Sequence, residues 1–228
     1  MNTLKSTDSL KGFQELIGTI YGLADDRAYS IWDLHSNIER YTLRALKGIR
    51  KGDSKRIRLN LMIALTWACS LSNRLRIDLE AEVWKRFPYQ CSYCGHCPCA
   101  CQTKKPEERP MLLVDDTKRP QTIKEMQKMF EIIYPSSKRT LIEGGIHLAE
   151  EIGEISEAIH VFMGEHKSEQ VAQIQLELAD YISCVFGVAN SVPFDVASKL
   201  IDMYKIGCPV CGESTCICTF SVVAQHVS

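Results

Sequence analysis

Apolar residues recur every three or four positions along most of the chain, a period that predicts α-helices rather than strands. In the second half, Ile123, Met126, Met129, Phe130 and Ile133 share one such face, and Thr122 is placed to cap a helix running to about Tyr134. A longer helix is expected over Leu141 to Met163, ending at Gly164. Ser168 should cap another, to about Asn190, and Pro193 should open a fourth, to about Ile206. The first half follows the same plan: a helix from Leu10, then Tyr29 to Leu46, Ser54 to Leu75, and Asp78 to Phe87. Short connections make the two long helices of each half antiparallel neighbours.

The halves also agree residue by residue. Cys91, Cys94, Cys99 and Cys101 have the spacing C-x2-C-x4-C-x-C, and Cys208, Cys211, Cys216 and Cys218 repeat it 117 positions later. Asn73 matches Asn190, Asp78 matches Asp195 and Gly95 matches Gly212 at the same offset. Upstream the offset becomes 113, pairing Leu10, Lys11, Gln14, Ile20 and Tyr21 with Ile123, Lys124, Gln127, Ile133 and Tyr134. The chain reads as two copies of one all-α unit, each ending in a four-cysteine knuckle. One unit spans 1–101 and the other 122–228, and the Pro-, Lys- and acid-rich stretch 102–121 between them reads as a linker.

Composition is that of a soluble globular protein, with 45% hydrophobic and 24% charged residues. No apolar run reaches transmembrane length and Met1 to Asp8 lacks a signal-peptide core, so the expected compartment is the cytoplasm, with no membrane partner. The net charge of −1 hides an asymmetry. Residues 1–121 hold 20 Lys and Arg against 14 Asp and Glu, whereas residues 122–228 hold 7 against 14.

Between Thr140 and Ser198 stand ten acidic residues, and the only Lys or Arg is Lys167. Glu151 and Glu154 are three apart and share a helix face; Glu177 and Asp180 do the same on the next helix, within an apolar run of Leu176, Leu178, Ile182, Val185 and Phe186. If that helix packs inward, its carboxylates go with it, and burying them unpaired costs several kcal/mol each. No Lys or Arg close in sequence offsets that cost. A hard divalent cation does, and Mg²⁺ also binds substrate phosphates. The alternative is a solvated acidic face.

Glu150-Glu151-Ile152-Gly153-Glu154 and Glu177-Leu178-Ala179-Asp180 resemble the EExxE and ExxD motifs of the MazG-like all-α NTP pyrophosphohydrolases, over about residues 122–206. The resemblance implies Mg²⁺-dependent cleavage of a nucleoside triphosphate between the α- and β-phosphates, giving a monophosphate and pyrophosphate. Glu151, Glu154, Glu177 and Asp180 would hold the metal, with Glu150 as a base or outer ligand. Asn190 and Lys199 stand where similar enzymes carry substrate-contacting residues. The first half has Asn60 and Ile63 opposite Glu177 and Asp180, so one site per chain is expected. Because such enzymes work as dimers, the chain looks like a fused pseudo-dimer, which could itself pair further. Its basic first half would supply phosphate-binding cations from among Arg74, Arg76, Lys85 and Arg86.

Each four-cysteine group suits one tetrahedral structural Zn²⁺ in a reducing compartment. Iron–sulfur ligation is the alternative, Cys97 could replace one ligand of the first group, and His96 is a weaker candidate. Cys69 and Cys184 sit in apolar helical patterns and read as buried structural thiols. The competing functions are a non-catalytic nucleotide sensor and a nucleic-acid-binding zinc protein, the latter suggested by Lys104, Lys105 and Arg109 beside the first knuckle.

Overall fold

The computed structural model describes residues 4–104, 106–165 and 167–219, without the side chain of Ser168; Lys105 lies outside the described residues. The described residues form eight α-helices, two short 3-10 turns and no strand. The helices are α1 (Leu10–Ala28), α2 (Ile31–Lys51), α3 (Ser54–Arg74), α4 (Leu79–Arg86), α5 (Ile123–Ile133), α6 (Leu141–Glu165), α7 (Ser168–Ser191) and α8 (Val196–Met203).

Local chemistry explains most of the boundaries. The side chains of Ser9, Ser30, Asp53, Asp78, Thr122 and Asp195 each accept a backbone N–H from the first turn of α1, α2, α3, α4, α5 and α8. Gly52, at φ +65°, ends α2 in the left-handed region that glycine enters without steric cost. Several boundaries differ from expectation: α2 spans Ile31–Lys51 rather than Tyr29 to Leu46, and α8 ends at Met203 rather than near Ile206. Helix α6 continues through Gly164 to Glu165, and α7 starts at Ser168 itself, leaving Lys167 at the cap position. Helix α8 starts at Val196, not Pro193, because Asp195 is the residue that caps it, as Asp78 caps α4.

The long helices pair as hairpins, α2 with α3 and α6 with α7, and α2 also packs on α6. Gly145 makes that last approach close, since a Cβ there would stand 3.0 Å from Ile49 and 3.1 Å from Leu46. One buried hydrophobic cluster runs through all eight helices. Helix α7, over Glu169–Ser191, is long and apolar enough to cross a membrane by length and composition. Its apolarity is used in the core, where Ile174, Leu178, Tyr181, Ile182, Val185 and Phe186 are fully buried.

The two halves are braced alike. Gln14 donates to the side-chain oxygen of Asn73 and the carbonyl of Ile77, and accepts from the N–H of Leu79. Gln127 makes the same three bonds to Asn190, Phe194 and Val196. The halves also interlock. Helix α4 packs against α7, the Cys99 N–H donates to the Ile133 carbonyl at 2.7 Å, and the Cys216 N–H donates to the Ile20 carbonyl at 2.7 Å. Each cysteine knuckle is thus stitched to the first helix of the other half, rather than only closing the end of its own. The 102–121 stretch is pinned back onto the first half, Trp84 donating to Asp116 at 2.8 Å and Arg119 pairing with Glu80 at 3.1 Å.

Candidate metal centre

Helices α6 and α7 run side by side, and the three-residue spacing on each turns carboxylates toward the seam. Glu151, Glu177 and Asp180 converge there, each offering a ligand oxygen within 4.8 Å of the others. Glu154 is exposed at the rim, hydrogen-bonded to Glu177, and Gln173 donates to Glu177 from one turn earlier. Burial, followed by the charges of Asp180, Glu154 and Glu177, pushes the Glu151 carboxyl up to about 8. Burial and the bonded Glu154 push Glu177 up to about 7. The cluster therefore retains protons near neutral pH, and a divalent cation would displace them.

Arg86, at the end of α4, answers part of this charge. It donates from Nε to one oxygen of Asp180 at 2.9 Å and from Nη2 to the other at 2.6 Å, a two-point pair with both side chains 16% exposed. Burial is the strongest single influence and opposes the Arg86 charge, but the Asp180 bond together with the charges of Asp180 and Glu177 raises the guanidinium pKa. The sequence around the cluster offers no compensating cation. One is present, supplied from 94 residues away by the interlocked half. Of the four first-half cations considered, Arg86 alone reaches the cluster. Arg74 binds Asp26 and the carbonyls of Asp25 and Tyr29, Lys85 leans toward Glu82, and Arg76 is exposed.

The donor set still fits a hard cation. Oε2 of Glu151 is buried without a hydrogen-bond partner, and three carboxylates against one guanidinium leave an excess of acceptors. A groove of about 620 Å³ opens beside the carboxylates, with Glu150, Glu151 and Asp180 on one side. Arg86, Arg109, Lys138 and Arg139 bring positive charge to its wall, and Tyr93 and Tyr134 bring aromatic surface. Arg109 lies 5.2 Å over the ring of Tyr93 and Arg139 lies 5.1 Å over that of Tyr134. Lys138, Arg139 and His147 are additions to the residues that the sequence singles out. The signal available for the first two is their position in the loop immediately before the EExxE helix.

Asn190 and Lys199 are not brought to this groove. The Asn190 amide accepts from the Gln127 side chain and donates to the Gln127 carbonyl, so the brace between α5 and α7 engages both its ends. Lys199 lines a separate shallow groove with Lys55, Arg58, Asp195 and Asp202.

The cysteine groups form two further centres. All four sulfurs in each lie within 4.8 Å of one another, with Cys91–Cys101 at 3.7 Å, Cys94–Cys99 at 4.0 Å and Cys208–Cys218 at 3.9 Å. A tetrahedron with Zn–S bonds of about 2.3 Å has an edge of about 3.8 Å, so a single tetrahedral ion such as Zn²⁺ fits either group. A multi-iron cluster needs a wider cage. Backbone N–H groups of Ala100, Cys101 and Cys218 point at the sulfurs of Cys94, Cys99 and Cys216, as expected around thiolates. Gly95 and Gly212, at φ +69° and +76°, make the turn inside each knuckle. Cys97 is exposed and outside the first group, and His96 Nδ1 is engaged with the Cys94 carbonyl. Cys69 and Cys184 are buried, as expected.

No family model matches this chain, and searches of curated proteins and of solved structures likewise returned no match.

Proposed function

We propose that the chain is a divalent-metal-dependent nucleoside triphosphate pyrophosphohydrolase of the MazG-like kind, built as an internal duplication with one working site. The observation that carries this reading is the convergence of Glu151, Glu177 and Asp180 from two antiparallel helices beside a cationic groove. An acidic cluster alone would suit many surfaces. An acidic cluster with an orphaned buried oxygen, facing four cations and two tyrosines, suits a polyphosphate ester carried with its metal.

Glu151, Glu177 and Asp180, with Glu154 at the rim, would hold Mg²⁺. When bound, that ion supplies phosphate neutralisation and an acidified water. Lys138 and Arg139 bind and orient phosphate oxygens from the groove wall, and Arg86 balances the carboxylates while standing next to the same space. Glu150, exposed on the groove side, accepts a proton from the attacking water. Tyr93 and Tyr134 present ring faces to the nucleoside. The duplication is supported by the matched Gln14 and Gln127 braces and by the two knuckles, each with a tyrosine from the other half on its first cysteine: Tyr21 on Cys208 and Tyr134 on Cys91. Asn60 and Ile63 in place of Glu177 and Asp180 leave the first copy without the ligand pair.

The test is pyrophosphate release from a panel of NTPs and dNTPs with and without Mg²⁺. Metal-dependent release from at least one nucleotide, reduced at least 100-fold in Glu177→Gln, is expected. A panel with no turnover in the zinc-loaded protein overturns the assignment.

A further inference from the structure

A second cavity, larger than the groove beside the carboxylates, has a volume of about 740 Å³ and lies between α1, α2, α3 and the second knuckle. Its walls correspond in sequence to those of the carboxylate groove. At an offset of 117, Arg86 becomes Met203, Asp180 becomes Ile63, Ser183 becomes Thr66 and Cys184 becomes Trp67; at 113, Tyr134 becomes Tyr21. The second knuckle takes the place of the first. The cavity is thus the counterpart of the candidate catalytic groove, with its ion pair replaced by Met203 and Ile63.

The replacements change the chemistry in one direction. Among the described residues, none of the cations of the groove has a cationic equivalent in this lining. Among the described lining residues Arg40 is the only cation, and it lies 5.6 Å over the Tyr41 ring, against two acids, Asp25 and Asp33. The described walls therefore offer neither the charge to hold a triphosphate nor the Glu177–Asp180 kind of carboxylate pair to hold its metal. It gains aromatic surface instead. Trp67 meets Tyr29 edge-on at 5.4 Å, and Tyr21 and Tyr204 meet edge-on at 6.5 Å. Buried polar groups accompany the rings: the Asp25 carboxyl, bonded to Ser70, is 6% exposed, and Asn37 is 8% exposed. Flat aromatic walls with a few buried acceptors and donors suit an uncharged planar heterocycle carrying a polar substituent.

We infer that the first-half cavity binds a nucleoside, without metal and without cleaving it, and so serves as a ligand site separate from the carboxylate groove. The choice of a nucleoside rests on the nucleotide reading of that groove; the exclusion of metal and polyphosphate rests on the cavity's own residues. Trp67 and Tyr29, packed against each other, form one aromatic wall for the base, and the Asp25 carboxyl accepts a base N–H.

Calorimetric titration of the zinc-loaded full chain with the common ribo- and deoxyribonucleosides, and with their triphosphates, tests this in the Glu177→Gln background. At least one nucleoside should bind one to one, with a Kd that changes less than twofold when Mg²⁺ is added. Ala28→Trp, which fills the cavity from an exposed lining position, should weaken that binding at least tenfold and leave the thermal unfolding midpoint and wild-type pyrophosphate release unchanged. Trp67→Leu, which removes an aromatic wall without filling the space, should weaken it as well. Absence of binding by every nucleoside overturns the inference, as does binding that needs Mg²⁺ or survives Ala28→Trp. Failure of the catalytic reading has a different signature, since it abolishes pyrophosphate release in the wild type and leaves these titrations unaffected.

Discussion

Arg86 and Asp180 form a two-point ion pair between the halves, and the chain itself carries an apolar version, Met203 and Ile63, on the wall of the other cavity. Arg86→Met removes the guanidinium and leaves Asp180 facing Glu151 and Glu177. Breaking a buried pair costs about 3–5 kcal/mol. Both side chains are 16% exposed, and the carboxylate cluster can take up a proton, so a cost near 2–3 kcal/mol is expected. Asp180→Ile alone leaves Arg86 uncompensated and should cost about the same. The double variant Arg86→Met/Asp180→Ile replaces the pair by the residues of the other half, an exchange that is often neutral. It should lie within about 1 kcal/mol of wild type, so the two single losses exceed the double loss by a coupling energy of at least about 3 kcal/mol. Urea unfolding of the four proteins at pH 7, with zinc retained and without Mg²⁺, measures the cycle. Mg²⁺ should then raise the midpoint of Arg86→Met more than that of wild type, because the cation replaces the missing charge. Simple additivity of the two single losses would refute the claim that Arg86 stabilises the cluster through Asp180.

Two further outcomes follow from the same structure. Cys216→Ser should release one equivalent of zinc and, because that knuckle is bonded to Ile20 on α1, increase hydrogen exchange in α1 of the other half; protection lost only near residues 196–219 would count against the interlocked arrangement. Asp25 tests pH dependence: burial pushes its carboxyl from 3.8 up to about 6 against the opposing Ser70 bond and Arg74 charge, with Asp26 adding to the rise. A raised acid is fully stabilising below its unfolded value and loses that contribution as pH rises through its folded value, so Asp25→Asn should gain up to about 3 kcal/mol on wild type between pH 4 and pH 7, read by urea unfolding; a constant difference across that range would contradict the assignment.

The helices, the Thr122 cap and most members of the three candidate metal-binding groups could be read from the sequence because each depends on residues within a few positions. Thr122 caps α5 because its side chain reaches the N–H of Glu125, and Glu177 and Asp180 share a face because three residues make nearly one turn. The cysteine spacing likewise brings four sulfurs together inside one local knuckle. Packing between distant segments decided the rest. Only the crossing of α4 onto α7 brings Arg86 to Asp180, and only the close approach of α5 to α7 engages the Asn190 amide with Gln127 instead of leaving it for a ligand. The exchange of knuckles between halves was hidden for the same reason, since the repeat offsets are identical whether each knuckle docks on its own unit or on the other. Helical periodicity records which side of a helix is apolar. It does not record which helix that side will meet, because many partners offer the same apolar surface, and the choice among them is made by shape and charge in the folded molecule.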